Sequence, residues 1–343
     1  MQRWWALIVA SWSLFRRCTL RIAGTHWMAR GKGCCRTFDK LRPQSAISRK
    51  PENRVSVMSR SNLETHLAQS YIQAPNKIAT VGGIAFAYRE SGVRSGVPVV
   101  LLNYWGAVLD DFDPRIVDGL ASQHHVIAID YRGAGLSGGA SPVTIDAMAR
   151  DTVELIRALG YKQVDLVGFS MGGFVAQDVA SKVPGLVRRL ILAGTGPAGG
   201  KGIDRIGALS WPLILKGLLR LRDPKASMFF TSTLNGQHAA RDYLMRVKER
   251  KVARDKGPTP RLLFRQLKAI KAWGKQPPQD LARLRIPVLI ATGDSDIMVA
   301  SELSRDMARR IPLAQLVVYP DAGHGGVFQY HADFVSKALG FLK

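Results

Sequence analysis

Apolar positions in this chain fall into short uninterrupted runs bounded by turn residues, and the runs alternate with longer segments of helical period. The runs Lys77–Val81, Ile84–Glu90, Pro98–Asn103, His125–Asp130, Val164–Gly168, Val187–Ala193, Pro287–Thr292 and Gln315–Tyr319 read as strands. Several, such as Pro-Val-Leu-Ile-Ala at 287–291, are apolar without alternation, the mark of a strand covered on both faces. Helical spacing runs over Ile145–Leu159, where Val153, Ile156 and Leu159 share a face and Gly160 stops the pattern, and over Met171–Lys182, Ser301–Arg310 and His331–Leu342. Strand and helix in alternation predict an α/β fold: a doubly wound, mostly parallel sheet of eight strands. The first two strands are separated only by Gly82-Gly83, so they are expected to pair as an antiparallel hairpin.

Residues 198–280 break the rhythm. They lack a strand signal and read as several helices punctuated by Pro and Gly, an insertion between two sheet strands. The expected division is therefore a core of residues 75–197 and 281–343, the helical insertion 198–280, and an N-terminal extension, residues 1–60, of another character. No internal repeat is visible.

Charge sharpens that division. The net charge of +23 is confined to two segments: residues 1–57 carry 12 Lys/Arg against Asp39 and Glu52, and residues 198–280 carry 18 against 6 acids. The other segments balance, at 12 against 12 and 7 against 6. Binding of nucleic acid through the basic insertion is an alternative of another class, but no helix-turn-helix, RNA-binding or zinc-finger pattern is present, so nucleic acid is not expected as a partner. The surplus on the insertion instead admits steering of anionic substrates, weak association with an anionic membrane surface, or a merely solvated basic face.

All three cysteines, Cys18, Cys34 and Cys35, lie in the first segment, so the remainder has neither a disulfide framework nor a cysteine metal site. The apolar stretch Trp4–Phe15 is too short to span a bilayer, which needs roughly 20 residues. It is followed by Arg16-Arg17-Cys18 rather than by a small-residue cleavage site. The segment reads first as an unfolded extension, with secretion or organelle import left open and the cytoplasm as the expected location. Because composition changes abruptly at Met58, a translation start there is a further expectation.

The chemistry-bearing residues sit beyond the strands. After Val164-Asp165-Leu166-Val167 comes Gly168-Phe169-Ser170-Met171-Gly172-Gly173, followed by helix. A serine nucleophile needs its oxygen exposed at a sharp strand-to-helix turn, with small residues two before and two after so that strand and helix do not collide. The helix N-terminus also aims backbone N–H groups, that of Met171 first, at a developing oxyanion. Serine is a poor nucleophile at neutral pH and needs a base, itself oriented by a carboxylate. Downstream, Pro287–Thr292 ends in Gly293-Asp294-Ser295-Asp296, a turn with two acids, and Val317-Val318-Tyr319 leads through Pro320-Asp321-Ala322-Gly323 to His324. Individually these are ordinary residues: a turn serine, a helix N-cap, a loop histidine. His124 and His125 begin a strand and read as structural, and no His/Cys/Asp/Glu group has metal-ligand spacing.

Taken in order, these segments resemble the α/β-hydrolase superfamily over about residues 78–343. The resemblance implies Ser170 as nucleophile, Asp296 rather than Asp294 as the orienting acid, and His324 as general base. Some members take the acid from the strand after the nucleophile helix, but Gly194–Gly200 offers none. Asp130-Tyr131-Arg132-Gly133-Ala134-Gly135-Leu136-Ser137 matches the family's turn after the fourth strand, and its aspartate and arginine are expected to be structural. The family's usual His-Gly after the third strand is replaced by Asn103-Tyr104. Alignment on that strand makes the backbone N–H of Trp105 the second oxyanion donor beside Met171, or else leaves Trp105 as a pocket wall.

The implied activity is hydrolysis of a carboxylic ester, lactone or thioester through an acyl-enzyme, on a small acyl substrate and with no cofactor or metal. The insertion is implied to be a lid over the site. The cofactor-free haloperoxidase or perhydrolase branch shares Phe-Ser-Met-Gly-Gly and stays open, as does a non-catalytic ligand-binding protein on the same fold. Branches that attack with aspartate are disfavoured by the serine.

Overall fold

The computed structural model describes residues 70–343. The expectations for the extension 1–60, including its cysteines, the apolar stretch and a start at Met58, lie outside the described residues.

A single eight-stranded sheet runs in the order β1-β2-β4-β3-β5-β6-β7-β8. Its strands are β1 (Lys77–Val81), β2 (Ile84–Ser91), β3 (Val99–Leu102), β4 (Val126–Ile129), β5 (Val164–Phe169), β6 (Val187–Ala193), β7 (Val288–Gly293) and β8 (Ala314–Tyr319). Each expected strand is present to within one or two residues. The Gly82-Gly83 turn, with both glycines at positive φ, sets β1 antiparallel to β2 with Val81 opposite Ile84. Strand β2 is also antiparallel to β4, and every other pairing is parallel. The fold is that of the doubly wound sheet expected.

Helices cover both faces. On one lie α2 (Ile145–Ala158) and α3 (Met171–Lys182), whose Ile145, Met148, Phe174 and Val175 pack with Val164, Leu166, Leu190 and Ile290. On the other lie α1 (Pro114–Ala121) and, at the C-terminus, α10 (His331–Leu342), whose Ile116, Leu120, Phe334 and Ala338 pack with Leu101, Val167, Ile191 and Leu289. Alternate residues of β5 thus serve opposite cores, which is why the strand shows no polar face. Its one acid, Asp165, is fully buried and is matched by the fork of Arg188 on β6 at 3.0 and 2.6 Å.

Helix α1 was not expected from the sequence. Asp113 caps it, accepting from the Arg115 N–H at 3.0 Å, and Pro114 opens it.

Between β6 and β7 run α4 (Ile206–Leu219), α5 (Pro224–Phe229), α6 (Leu234–Arg246) and α7 (Pro260–Gly274). After β7 come α8 (Ser301–Arg310) and, before α10, the short α9 (Gly326–Gln329). No helix among the described residues is long and apolar enough to cross a membrane.

Candidate active site

In open α/β sheets, ligands bind outside the carboxyl ends of the strands. The loops after β3, β5, β7 and β8 carry the candidate residues, and all four open on that edge.

Strand β5 passes into α3 through one residue, Ser170, at φ 56° and ψ −118°. A non-glycine residue held there is strained and persists only when its surroundings over-determine it. The neighbouring glycines show how. A Cβ on Gly168 would lie 2.4 Å from the Gly172 carbonyl oxygen, and one on Gly172 would lie 2.1 Å from that of Leu102. The first turn of α3 is therefore pressed against both its own strand and the end of β3, and only glycine permits the approach. Thr195 Oγ1 donates to the Ser170 carbonyl at 2.9 Å and fixes the turn from the far side.

Ser170 occupies the helix N-cap, yet its side chain makes no cap bond. Its Oγ lies 2.9 Å from Nε2 of His324, whose Nδ1 lies 2.8 Å from Oδ2 of Asp296. His324 and Asp296 are both buried. The remaining carboxylate oxygen of Asp296 accepts the N–H groups of Met298 and Val299 at 2.8 and 2.9 Å, so that side chain has one orientation. An ionised carboxylate can only accept; Nδ1 therefore carries the imidazole proton and Nε2 is left to accept from Ser170.

Asp294 points elsewhere, accepting from the Asp321 and Ala322 N–H groups at 3.1 and 3.3 Å. It holds the loop that carries His324 without touching the ring. Of the two acids in that turn, His324 meets Asp296.

Beyond β3, Asn103 and Tyr104 stand in for the family's usual pair. The Tyr104 N–H is taken by Asn103 Oδ1 at 2.9 Å, and the Tyr104 ring is buried edge-on against Phe169 and Phe229, centroids 5.7 and 5.0 Å away. Trp105 donates its indole N–H to the Leu263 carbonyl at 2.9 Å. Among the described residues no hydrogen bond engages the backbone N–H of Trp105 or of Met171. Both amides are thus free to donate.

Aromatic rings enclose the histidine. Phe169 and Phe229 lie 5.0 and 5.6 Å from the His324 ring, and Phe328 is 4.7 Å from Phe169. Phe229, the last residue of α5, also accepts the Gly325 N–H on its carbonyl at 2.7 Å, tying the insertion to the histidine loop. Neither Phe229 nor Phe328 was singled out from sequence. Nothing in the apolar runs distinguishes a ring that walls a site from one that fills a core.

The Asp130 turn behaves as expected of a structural element. Arg132 pairs with Asp151, Ser137 Oγ donates to the Asp130 carbonyl at 3.1 Å, and a Cβ on Gly135 would overlap the buried Asp130 carboxyl. Burial, with Asp255 nearby adding to it, raises the pKa of Asp130 well above the usual carboxylate range. No group of three or more metal-ligating side chains occurs among the described residues.

Residues 97–329 match the model of the alpha/beta hydrolase fold family. Relatives of known name span most of the chain. A Mycobacterium tuberculosis protein provisionally named non-heme bromoperoxidase BpoC is 28% identical over 252 residues, 72% of this chain and 93% of that one. The pimeloyl-[acyl-carrier protein] methyl ester esterase of Nitrosomonas europaea is 24% identical over 251 residues, 71% of this chain and 94% of its own. Among solved structures, an alpha/beta hydrolase fold protein from Chitinophaga pinensis superposes with a TM-score of 0.76 at 32% identity, covering 80% of this chain and 99% of that one.

Proposed function

The chain belongs to the α/β-hydrolase family, and from that premise we propose that it is a serine hydrolase that cleaves a carboxylic ester, lactone or thioester. The observation that carries the reading is the unbroken contact Asp296–His324–Ser170, at 2.8 and 2.9 Å, ending on an oxygen held at a strained turn. Similarity to a methyl ester esterase supports the ester linkage as substrate.

In this reading Ser170 Oγ attacks the acyl carbon while its proton passes to His324 Nε2. The negative charge on the carbonyl oxygen is met by the backbone N–H groups of Met171 and Trp105. Collapse expels the leaving alcohol or thiol, which takes the proton from His324, and leaves the acyl group on Ser170. Water then attacks, giving its proton to His324, and the acid departs as Ser170 recovers its hydrogen. Asp296 holds the tautomer and stabilises the imidazolium without taking the proton. The insertion, whose Phe229 stands beside His324, covers the site and with Phe169 and Phe328 presents an apolar wall to the acyl chain.

Similarity to the M. tuberculosis protein favours one second reading, in which hydrogen peroxide replaces water at the acyl-enzyme and releases a peracid. Acetate- and peroxide-dependent bromination, compared with ester hydrolysis on one preparation, separates the two.

The decisive experiment is labelling by a fluorophosphonate probe together with turnover of p-nitrophenyl acetate. The wild type should be labelled and active, and Ser170→Ala should be folded, unlabelled and inactive. A Ser170→Ala protein with full activity refutes the assignment, and a wild type that binds ligands without being labelled speaks for a non-catalytic binder.

A further inference from the structure

The loop after β3 is held by the insertion as well as by the sheet. Residues 104–107 form a turn closed by the Ala107 N–H on the Tyr104 carbonyl at 3.1 Å, with Gly106 at φ 76°, as a type II turn demands of its third residue. The Tyr104 carbonyl and the Trp105 N–H belong to one trans peptide plane and point in opposite directions. Once the carbonyl is committed to Ala107, the Trp105 N–H must leave from the other edge. The planes on either side are anchored too: the Tyr104 N–H by Asn103 Oδ1 at 2.9 Å, and the Gly106 N–H by Gln266 Oε1 at 2.8 Å.

Gln266 belongs to α7, 160 residues further along the chain, and is fully buried. It shares the inward face of the helix with Leu262, Ala269, Ile270 and Trp273. Its Nε2 has no partner among the described residues, so the amide carries an unmade donor in the interior. A leucine would fill the position without that cost. What the amide adds is the bond to Gly106. One turn earlier, the Leu263 carbonyl takes the Trp105 indole, and a Cβ on Gly106 would meet the Leu263 side chain at 2.5 Å.

We propose that Gln266 is a positioning residue for the reaction: through Gly106 it sets the Trp105 N–H in the direction that receives the oxyanion, so that α7 completes the oxyanion site. The proposal rests on the serine-hydrolase reading and on Trp105 as its second donor.

The test compares Gln266→Leu with Gln266→Glu, which keeps the acceptor, in the full chain. Functional sites are counted by fluorophosphonate labelling taken to completion. Gln266→Leu should lower kcat per labelled site by about tenfold to a hundredfold at unchanged KM, a fraction of what loss of a whole donor costs. It should weaken a trifluoromethyl ketone, which forms an oxyanion on Ser170, by the same factor. Gln266→Glu should recover most of both. Wild-type kcat per site in Gln266→Leu, a kcat loss without weaker ketone binding, or a Gln266→Glu enzyme as impaired as Gln266→Leu would each overturn the proposal. Failure of the underlying reading shows separately, as an unlabelled wild type or an active Ser170→Ala.

A second surface is independent of this one. Helix α4 turns Leu209, Leu215 and Leu219 to solvent, at 40, 51 and 78% exposure, with Arg205, Lys216 and Arg220 exposed beside them. The same helix of another copy of the chain would bring positive charge against that rim. The geometry points to an anionic lipid surface as the occupant, leucines in the acyl boundary and cations at the headgroups.

Amide hydrogen exchange on the full chain reads the helix directly. Phosphatidylglycerol vesicles should protect residues 206–221, phosphatidylcholine vesicles should not, and Leu215→Gln/Leu219→Gln should lose the protection while turning over soluble esters normally. Absence of protection, equal protection by both lipids, or protection that arises without lipid as protein concentration rises overturns the assignment.

Discussion

Substituting alanine for Gly172 tests how the Ser170 turn and the β3 loop are held together. The added Cβ would stand 2.1 Å from the Leu102 carbonyl oxygen and 2.9 Å from that of Asn103, where side-chain carbons keep beyond 3.0 Å, so about 0.9 Å of retreat is required. Strand β3 cannot supply it, because it is hydrogen-bonded to β4 on one side and β5 on the other. Helix α3 must move instead, and Ser170 and Met171 move with it, away from the loop that carries Trp105. A displacement near 1 Å in a reacting constellation costs about a hundredfold in rate, or about 2.7 kcal/mol of activation free energy. Overpacking adds about 1–3 kcal/mol of lost stability. Steady-state kinetics normalised to labelled sites, together with thermal unfolding, measure the two effects. Gly340→Ala is the control: it lies in α10 with nothing within 4 Å of the new carbon and no positive φ. It should leave kcat unchanged and raise stability by about 0.5–1 kcal/mol. A Gly172→Ala enzyme with wild-type kcat and wild-type unfolding temperature would refute the account of the turn.

Further outcomes follow from the same geometry. Asp296→Asn should lower kcat by about 10⁴-fold, as loss of the tautomer-fixing carboxylate does elsewhere, whereas Asp294→Asn, whose amide oxygen can still accept from the histidine loop, should leave kcat nearly unchanged; equal losses in the two variants would contradict the assignment. Burial raises Asp255 to about 6, the nearby Arg89 only partly offsetting it. The folded state then holds a proton that the unfolded chain releases near the ordinary carboxylate value, so the stability this group contributes is present at about pH 4 and lost as pH rises through about 6. The unfolding temperature of the wild type relative to Asp255→Asn should therefore fall between pH 4 and 7; a flat or rising difference would show that the carboxyl is not perturbed.

How much could be read in the sequence depended on how far apart the interacting residues lie. The strands were legible because an apolar run between turn residues is a local signal, and Ser170 was legible because the crowding around it is relieved by Gly168 and Gly172 within two positions. Helix α1 was missed because eight residues opening on Asp113-Pro114 give barely two turns of period. The choice of Asp296 over Asp294 rests in the structure on contacts with residues about 30 positions away. Gln266 carried one faint signal, a polar residue on the otherwise apolar inward face of an amphipathic helix. Its partner, a backbone amide in another loop, has no trace in the residue types. The same holds for Arg89, which looks misplaced in the apolar strand Ala85–Tyr88 until Asp110 and Asp255 are found at 2.6 and 3.3 Å.

Those last contacts bear on how the insertion could be re-engineered. Asp255 follows α6 and is joined through Arg89 to Asp110, which lies just beyond the Trp105 turn; Gln266 and Leu263 grip the turn itself. The segment between β6 and β7 is consequently no interchangeable cassette. A chimera that imports this stretch from a relative would also remove the supports of the Trp105 turn, and under the proposed reaction should lose turnover. Exchanges that leave Phe229 and residues 250–274 in place keep both the histidine loop and the Trp105 turn supported.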